Sequence, residues 1–179
     1  MIAGKEYRRV VTGHRQGKSV VLSDMGLPAY RFRNVPGFEQ TYVWATYGGA
    51  EGEPARTDAQ MPGSALPSPG GLLVQIVTFP PRSLPSKNAA DPAAIAQEYQ
   101  ARLPGLADTF EHDGSGMHVT PTIDCALLLD GALSLELDDG EMVHLSAGDI
   151  VVQQGTRHGW RNTSQEPATV VFFMLGADP

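Results

Sequence analysis

The stretch Gly148-Asp149-Ile150-Val151-Val152-Gln153-Gln154-Gly155-Thr156-Arg157-His158-Gly159-Trp160-Arg161-Asn162 decides how this chain folds. A Gly-Asp turn opens it, and Ile150 to Gln153 is a short β-branched strand closed by Gly155. His158 to Asn162 resumes in strand before the turn-prone run from Thr163 to Pro167. Side chains alternate along a strand, so His158 and Trp160 share one face. Gln153 stands at a strand end beside that histidine, where a hydrogen bond to a ligand is readily made.

Working outward, the same rhythm runs from Met117 to the C-terminus. Asp124 to Leu129 is closed by Asp130-Gly131, Ala132 to Leu137 by Asp138-Asp139-Gly140, and Glu141 to Leu145 by Ser146-Ala147-Gly148-Asp149. Ala168 to Leu175 is the last strand. Short strands at even spacing, separated by Asp-Gly turns, predict an all-β sandwich or closed barrel. The phase of Leu133, Leu135 and Leu137 puts these three on the inner face. The same period gives His118, Thr120, Thr122, Asp124, Ala126 and Leu128 a common face, and the apolar Ala126 and Leu128 make it the inner one. Cys125 is opposite in phase, outside any cavity and inert. His14 and His144 read as a turn residue and an outer-face residue, and His112 sits in the Glu111 to Gly114 loop.

Upstream, Tyr7 to Val11 and Ser19 to Ser23 read as a hairpin, Thr41 to Tyr47 as a strand with inward aromatic residues, and Leu72 to Phe79 as another strand stopped by Pro80-Pro81. Asp91 as cap and Pro92 in the first turn predict one short peripheral helix over Ala93 to Leu103. The chain is read as a single domain, 1–179, with an N-terminal arm at 1–47, an irregular loop at 48–71, a strand-and-helix insertion at 72–116 and the barrel core at 117–175. Trp160, Trp44, Phe172 and Leu133 are the apolar candidates for a ligand pocket, with Thr120 and Gln153 as its polar ones.

Of 179 residues, 41% are hydrophobic and 18% charged, with Gly 20 and Pro 14, the usage of a turn-rich soluble domain. Lys and Arg number 13 against 20 Asp and Glu, a net charge of −7 with no basic run, so nucleic acid is not expected as a partner. No apolar run approaches the roughly 20 residues of a membrane helix, no signal sequence is legible at Met1 to Val11, and the single cysteine builds no disulfide framework. A cytoplasmic protein without membrane contact is expected.

The two glycine- and histidine-bearing segments resemble the cupin family. Gly148 through Gly155, His158 and Asn162 resemble its second motif, and His118 through Asp124 to Gly131 resemble its first, with six residues between the acid and the glycine. Asp124 stands where the family has Glu, Thr120 where it has a second histidine, and Gln153-Gln154 where a proline is common. The resemblance implies a double-stranded β-helix, a jelly-roll-like barrel, with His118, Asp124 and His158 carried over as ligands of one divalent metal, Fe, Mn, Ni or Zn. Two imidazoles and a carboxylate leave coordination positions open for substrate, water or O2. The function so implied is dioxygenation, decarboxylation or cyclisation of a small hydrophobic, aromatic or polyketide-like oxygenated substrate, by a homodimer. The alternative is a metal-free barrel that binds a small ligand without turnover, which Thr120 favours.

Overall fold

The computed structural model describes residues 5–46, 63–82 and 91–177. Most of the loop expected at 48–71 lies outside them, as does Tyr47. In chain order the strands are β1 (Tyr7–Arg15), β2 (Lys18–Leu27), β3 (Tyr30–Arg31), β4 (Glu39–Thr46) and β5 (Leu72–Phe79). After helix α1 (Pro92–Arg102) come β6 (Thr122–Asp130), β7 (Ala132–Glu136), β8 (Met142–Ser146), β9 (Ile150–Gln154), β10 (Gly159–Arg161) and β11 (Ala168–Gly176). From β6 onward each strand boundary anticipated from a glycine turn falls within about two residues of its place, because the turns carry the left-handed backbone that glycine adopts without strain; Gly131, Gly148 and Gly155 all have positive φ.

Six strands form one sheet in the order β3-β4-β5-β11-β6-β9, and β10-β7-β8 form a second. All pairings are antiparallel. Leu133, Leu135 and Leu145 of the small sheet meet Val77, Ala126, Leu128, Val170 and Phe172 of the large one in a single apolar core. The leucine phase is therefore as expected: Leu133 and Leu135 are 2% and 4% exposed. The outer face of the large sheet is exposed along β6, β9 and the end of β11, at Ile123, Cys125, Ile150, Val152, Phe173 and Leu175. In register, Phe173 faces Cys125 and Cys125 faces Val152, so these side chains are contiguous.

The hairpin β1–β2 is longer than its sequence signal and forms a ribbon of its own. Within it only Arg9 and Leu27 are buried. Arg9 anchors the ribbon to the large sheet by donating to the Val43 carbonyl and lying over the Trp44 ring.

Helix α1 starts where the cap was expected, with Asp91 accepting from the Ala93 N–H at 3.1 Å. It ends at Leu103, which precedes Pro104 and leaves the helical region. A buried carboxylate of the helix ties it to the large sheet, beside the Tyr42 hydroxyl that donates to the Arg102 carbonyl. Glu98 accepts from the Tyr30 hydroxyl and from the Arg33 and Asn34 backbone N–H groups, each at 2.8 Å. Burial alone would raise its pKa, but these donors outweigh burial and hold it below the usual carboxylate value. The helix thus lies outside the strands, yet it is fixed over one end of the barrel. Among the described residues no helix is long and apolar enough to cross a membrane.

Candidate functional site

His118 and His158 face each other across an antiparallel bridge. Each donates its backbone N–H to the other's carbonyl, at 2.9 and 3.0 Å. A pair so bonded stands directly opposed, and the two rings come within 4.2 Å, centroid to centroid. In both residues Nδ1 lies beside a backbone carbonyl two positions upstream, Gly116 O at 3.1 Å and Thr156 O at 2.9 Å. A carbonyl only accepts, so Nδ1 carries the proton in each ring and Nε2 is left as a lone-pair acceptor. Burial, and after it the neighbouring His158, depress His118 to about 4, and burial also lowers His158. Near neutral pH both rings are uncharged, the form that binds metals.

Asp124 lies on β6, on the same inner face, and is 3% exposed. Among the described residues its Oδ1 has no hydrogen-bond partner. Burial drives its pKa up to about 6, against a weaker downward pull from the Thr122 hydroxyl. Thr120 is buried with its oxygen occupied, since Thr122 donates to it at 2.7 Å.

These four residues line one cavity of about 860 Å³. Its apolar walls include Phe79, Trp160 and Phe172 from the barrel strands, Phe110 from the loop that precedes β6, and Ile95 and Tyr99 from α1. Phe110 packs against His118, and Trp160 stands edge-on to His158. Trp160 and Phe172 are thus where the sequence puts them. Three other candidates are elsewhere. Leu133 belongs to the closed core between the sheets, because β7 is the middle strand of the small sheet. Trp44 lies under Arg9, where the arm meets β4. Gln153 is 4% exposed, opposite Asp124 on the neighbouring strand; neither atom of its amide has a partner, and it does not line the cavity.

Sequence reasoning passed over Gln40 and Gln75, both of which line the cavity, and over Arg161 at its wall. The Arg161 guanidinium is held by Glu136 at 2.6 Å. His112 also reaches the cavity wall, from the loop that Arg157 secures by gripping Glu111 with two nitrogens.

In donor chemistry the two imidazoles and the carboxylate fit a divalent cation: each is an acceptor, and one brings negative charge. The histidines are adjacent, but among the described residues no three His, Cys, Asp or Glu side chains close into one cluster.

Residues 110–174 match the Cupin_2 family model, a cupin domain. The chain is 47% identical to the phomopsin biosynthesis cluster protein C′ of Diaporthe leptostromiformis over 43% of this chain and 44% of that one. It is 35% identical to the cupin-domain-containing oxidoreductase srdB of Neurospora crassa over 36% of this chain and 34% of that one. The chain therefore aligns with less than half the length of these curated relatives. A double-stranded β-helix protein from Klebsiella pneumoniae is 20% identical with a TM-score of 0.38, covering 60% of this chain and 69% of that one.

Proposed function

Since residues 110–174 match a cupin domain, we propose that this protein is a biosynthetic-cluster enzyme that oxidises a small, largely apolar, oxygenated molecule held in the barrel cavity, with O2 as the co-substrate that takes the electrons and with the help of one divalent metal. The observation that supports this most is the set of acceptors on the cavity wall: two neutral imidazoles with Nε2 free, and a buried carboxylate oxygen without a partner. His118 and His158 hold the metal in this reading, with Asp124 as the acid beside them. A metal bound there supplies Lewis-acid polarisation of a substrate oxygen. The Gly116 and Thr156 carbonyls fix the tautomer and the ring plane of each histidine. Phe79, Phe110, Trp160 and Phe172 take the apolar body of the substrate and keep water from the reacting end. Oxidation is favoured over decarboxylation or cyclisation because one relative bears the name of an oxidoreductase.

The experiment is calorimetric titration of chelator-stripped protein with Mn²⁺ and Ni²⁺. About one ion is expected to bind per chain, and His118→Ala and His158→Ala are each expected to weaken it at least tenfold, the scale seen when even supporting groups of a metal site are lost. Parent protein that takes up neither ion, and holds no metal by elemental analysis after reconstitution, rejects the metal and leaves the second reading, a metal-free binder. That reading is favoured by the Thr120 oxygen, which is already engaged by Thr122.

A second copy of the chain belongs to the same proposal. The exposed outer patch on β6, β9 and the end of β11 is apolar, and the arm at residues 5–27 carries Lys5, Arg8, Arg9, Arg15 and Lys18 against Glu6 and Asp24 in a chain of net charge −7. A basic arm on an otherwise acidic body gives two copies complementary charge. Light scattering after size exclusion is expected to give twice 19.1 kDa; a mass of one chain rejects the dimer.

A further inference from the structure

Gln75 interrupts the apolar run Leu72-Leu73-Val74-Gln75-Ile76-Val77 in the middle of β5. Its inward neighbours on that strand, Leu73 and Val77, are both core residues. Gln75 is 4% exposed, its partner Gln40 on β4 is 2% exposed, and both line the cavity. Gln40 Nε2 donates to Gln75 Oε1. That bond fixes the Gln75 amide and turns its own Nε2 to the far side, where it meets the thioether of Met174 at 3.3 Å. A thioether is a weak acceptor. A buried amide hydrogen is expensive to leave poorly satisfied, and a leucine here would fill the strand without that cost.

The position is informative too. Gln75 faces Phe172 on β11, Phe172 faces Ala126 on β6, and Asp124 is the next inward residue along β6. The Gln75 amide nitrogen reaches Met174 on the intervening strand, and Met174 stands opposite Asp124 in register, so amide and acid share one stretch of wall. β4 and β5 lie outside residues 110–174, so this feature is not part of the family match.

We propose that Gln75, held in place by Gln40, is a specificity-determining residue: its Nε2–H donates to a carbonyl, amide or carboxylate oxygen of the ligand, on the stretch of wall that Met174 shares with Asp124. The ligand then carries a polar oxygen at this point and an apolar body against the aromatic walls. The inference rests on the reading that the barrel cavity is the ligand site, and not on the metal. The Met174 sulfur is the placeholder that the ligand oxygen displaces.

The test uses two near-isosteric probes, phenylacetamide and n-propylbenzene, titrated into full-length ¹⁵N-labelled protein and followed by NMR. Phenylacetamide is expected to move the side-chain NH2 signals of Gln75. Its affinity should fall roughly five- to tenfold in Gln75→Leu, the size of one neutral hydrogen bond, while that of n-propylbenzene does not fall. Gln75→Met, closer in shape, should reproduce the selective loss should Gln75→Leu not fold. Equal effects on both probes, or phenylacetamide binding that leaves the Gln75 signals unmoved, overturns the proposal and makes the amide pair structural. Failure of both probes to bind the parent protein rejects the cavity as ligand site, and this inference with it.

Discussion

Asp124→Asn should make the metal-stripped protein more stable at pH 8, by about 3 kcal/mol, and leave it nearly unchanged at pH 4. The carboxyl titrates at about 6 in the folded chain, roughly two units above its ordinary value near 3.9, and each unit is worth about 1.4 kcal/mol. Because the folded pKa is the raised one, the folded state binds this proton more tightly than the unfolded state does. Stability is therefore lost as pH rises from about 4 to about 6, and the full penalty persists above that window. Asn keeps the shape and removes the charge. His118 runs the other way: its pKa is depressed to about 4 in the fold, so its contribution is complete above the unfolded value near 6.5 and is lost as pH falls toward 4. His158 shifts in the same direction. In the parent chain the acid and the imidazoles thus offset one another between pH 4 and 6, and the Asn variant should show the rise with pH that the histidines alone produce. Urea midpoints at the two pH values check this. Coincident midpoints at pH 8 would mean that Asp124 carries no uncompensated charge. A carboxylate retained at such a cost is what a working site looks like, since stability and function trade against each other at buried charges.

The second large effect concerns a turn. Gly131→Ala is expected to cost at least about 3 kcal/mol, and with it some 6 to 12 °C of melting temperature for a chain of this size. Gly131 has φ of +82°, and a Cβ there would lie 2.4 Å from the Pro167 carbonyl oxygen and 2.9 Å from the Ala168 Cα. The left-handed backbone alone costs an L-residue roughly 1–2 kcal/mol. The remainder comes from the contact, because Ala168 opens β11, which is hydrogen-bonded to β5 on one side and β6 on the other and cannot step aside. Gly140→Ala is the control: its φ is +74° but a Cβ there meets nothing within 4 Å, so only the backbone cost applies. Calorimetric melting of the two variants separates strain from collision. Equal losses would show that β11 yields after all.

The barrel was legible because its information is local. Asp-Gly turns, strand alternation and the cap at Asp91 act within a few residues, and the inner phase of His118, Thr120, Asp124 and Ala126 follows from a period of two. The pairing of His118 with His158 was legible only through resemblance; nothing in either segment by itself says that one is bridged to the other. The cavity wall was the hardest part. Phe110, Tyr99, Gln40 and Gln75 come from a loop, a helix and two strands that meet the histidines through tertiary packing. Alternation gives Gln75 an inward face, but only the packed structure tells whether an inward glutamine meets core or cavity. For the same reason Leu133 and Trp44 were reasonable pocket residues on pattern alone, one being inward and the other aromatic, until β7 proved to be a middle strand and the arm proved to cover Trp44.

β11 is the last strand of the chain and yet sits in the middle of the large sheet, between β5 and β6. Its pairing with Leu72–Phe79 closes a loop of about a hundred residues, an entropy cost met only when the final strand is available. A ribosome can release the β1–β2 hairpin, a purely local structure, while the sheet still lacks its centre. Until β11 is in place β5 and β6 each present an open edge, so the sheet gains its centre only through a long-range closure, and it is in that interval that the nascent chain is most exposed to mispairing.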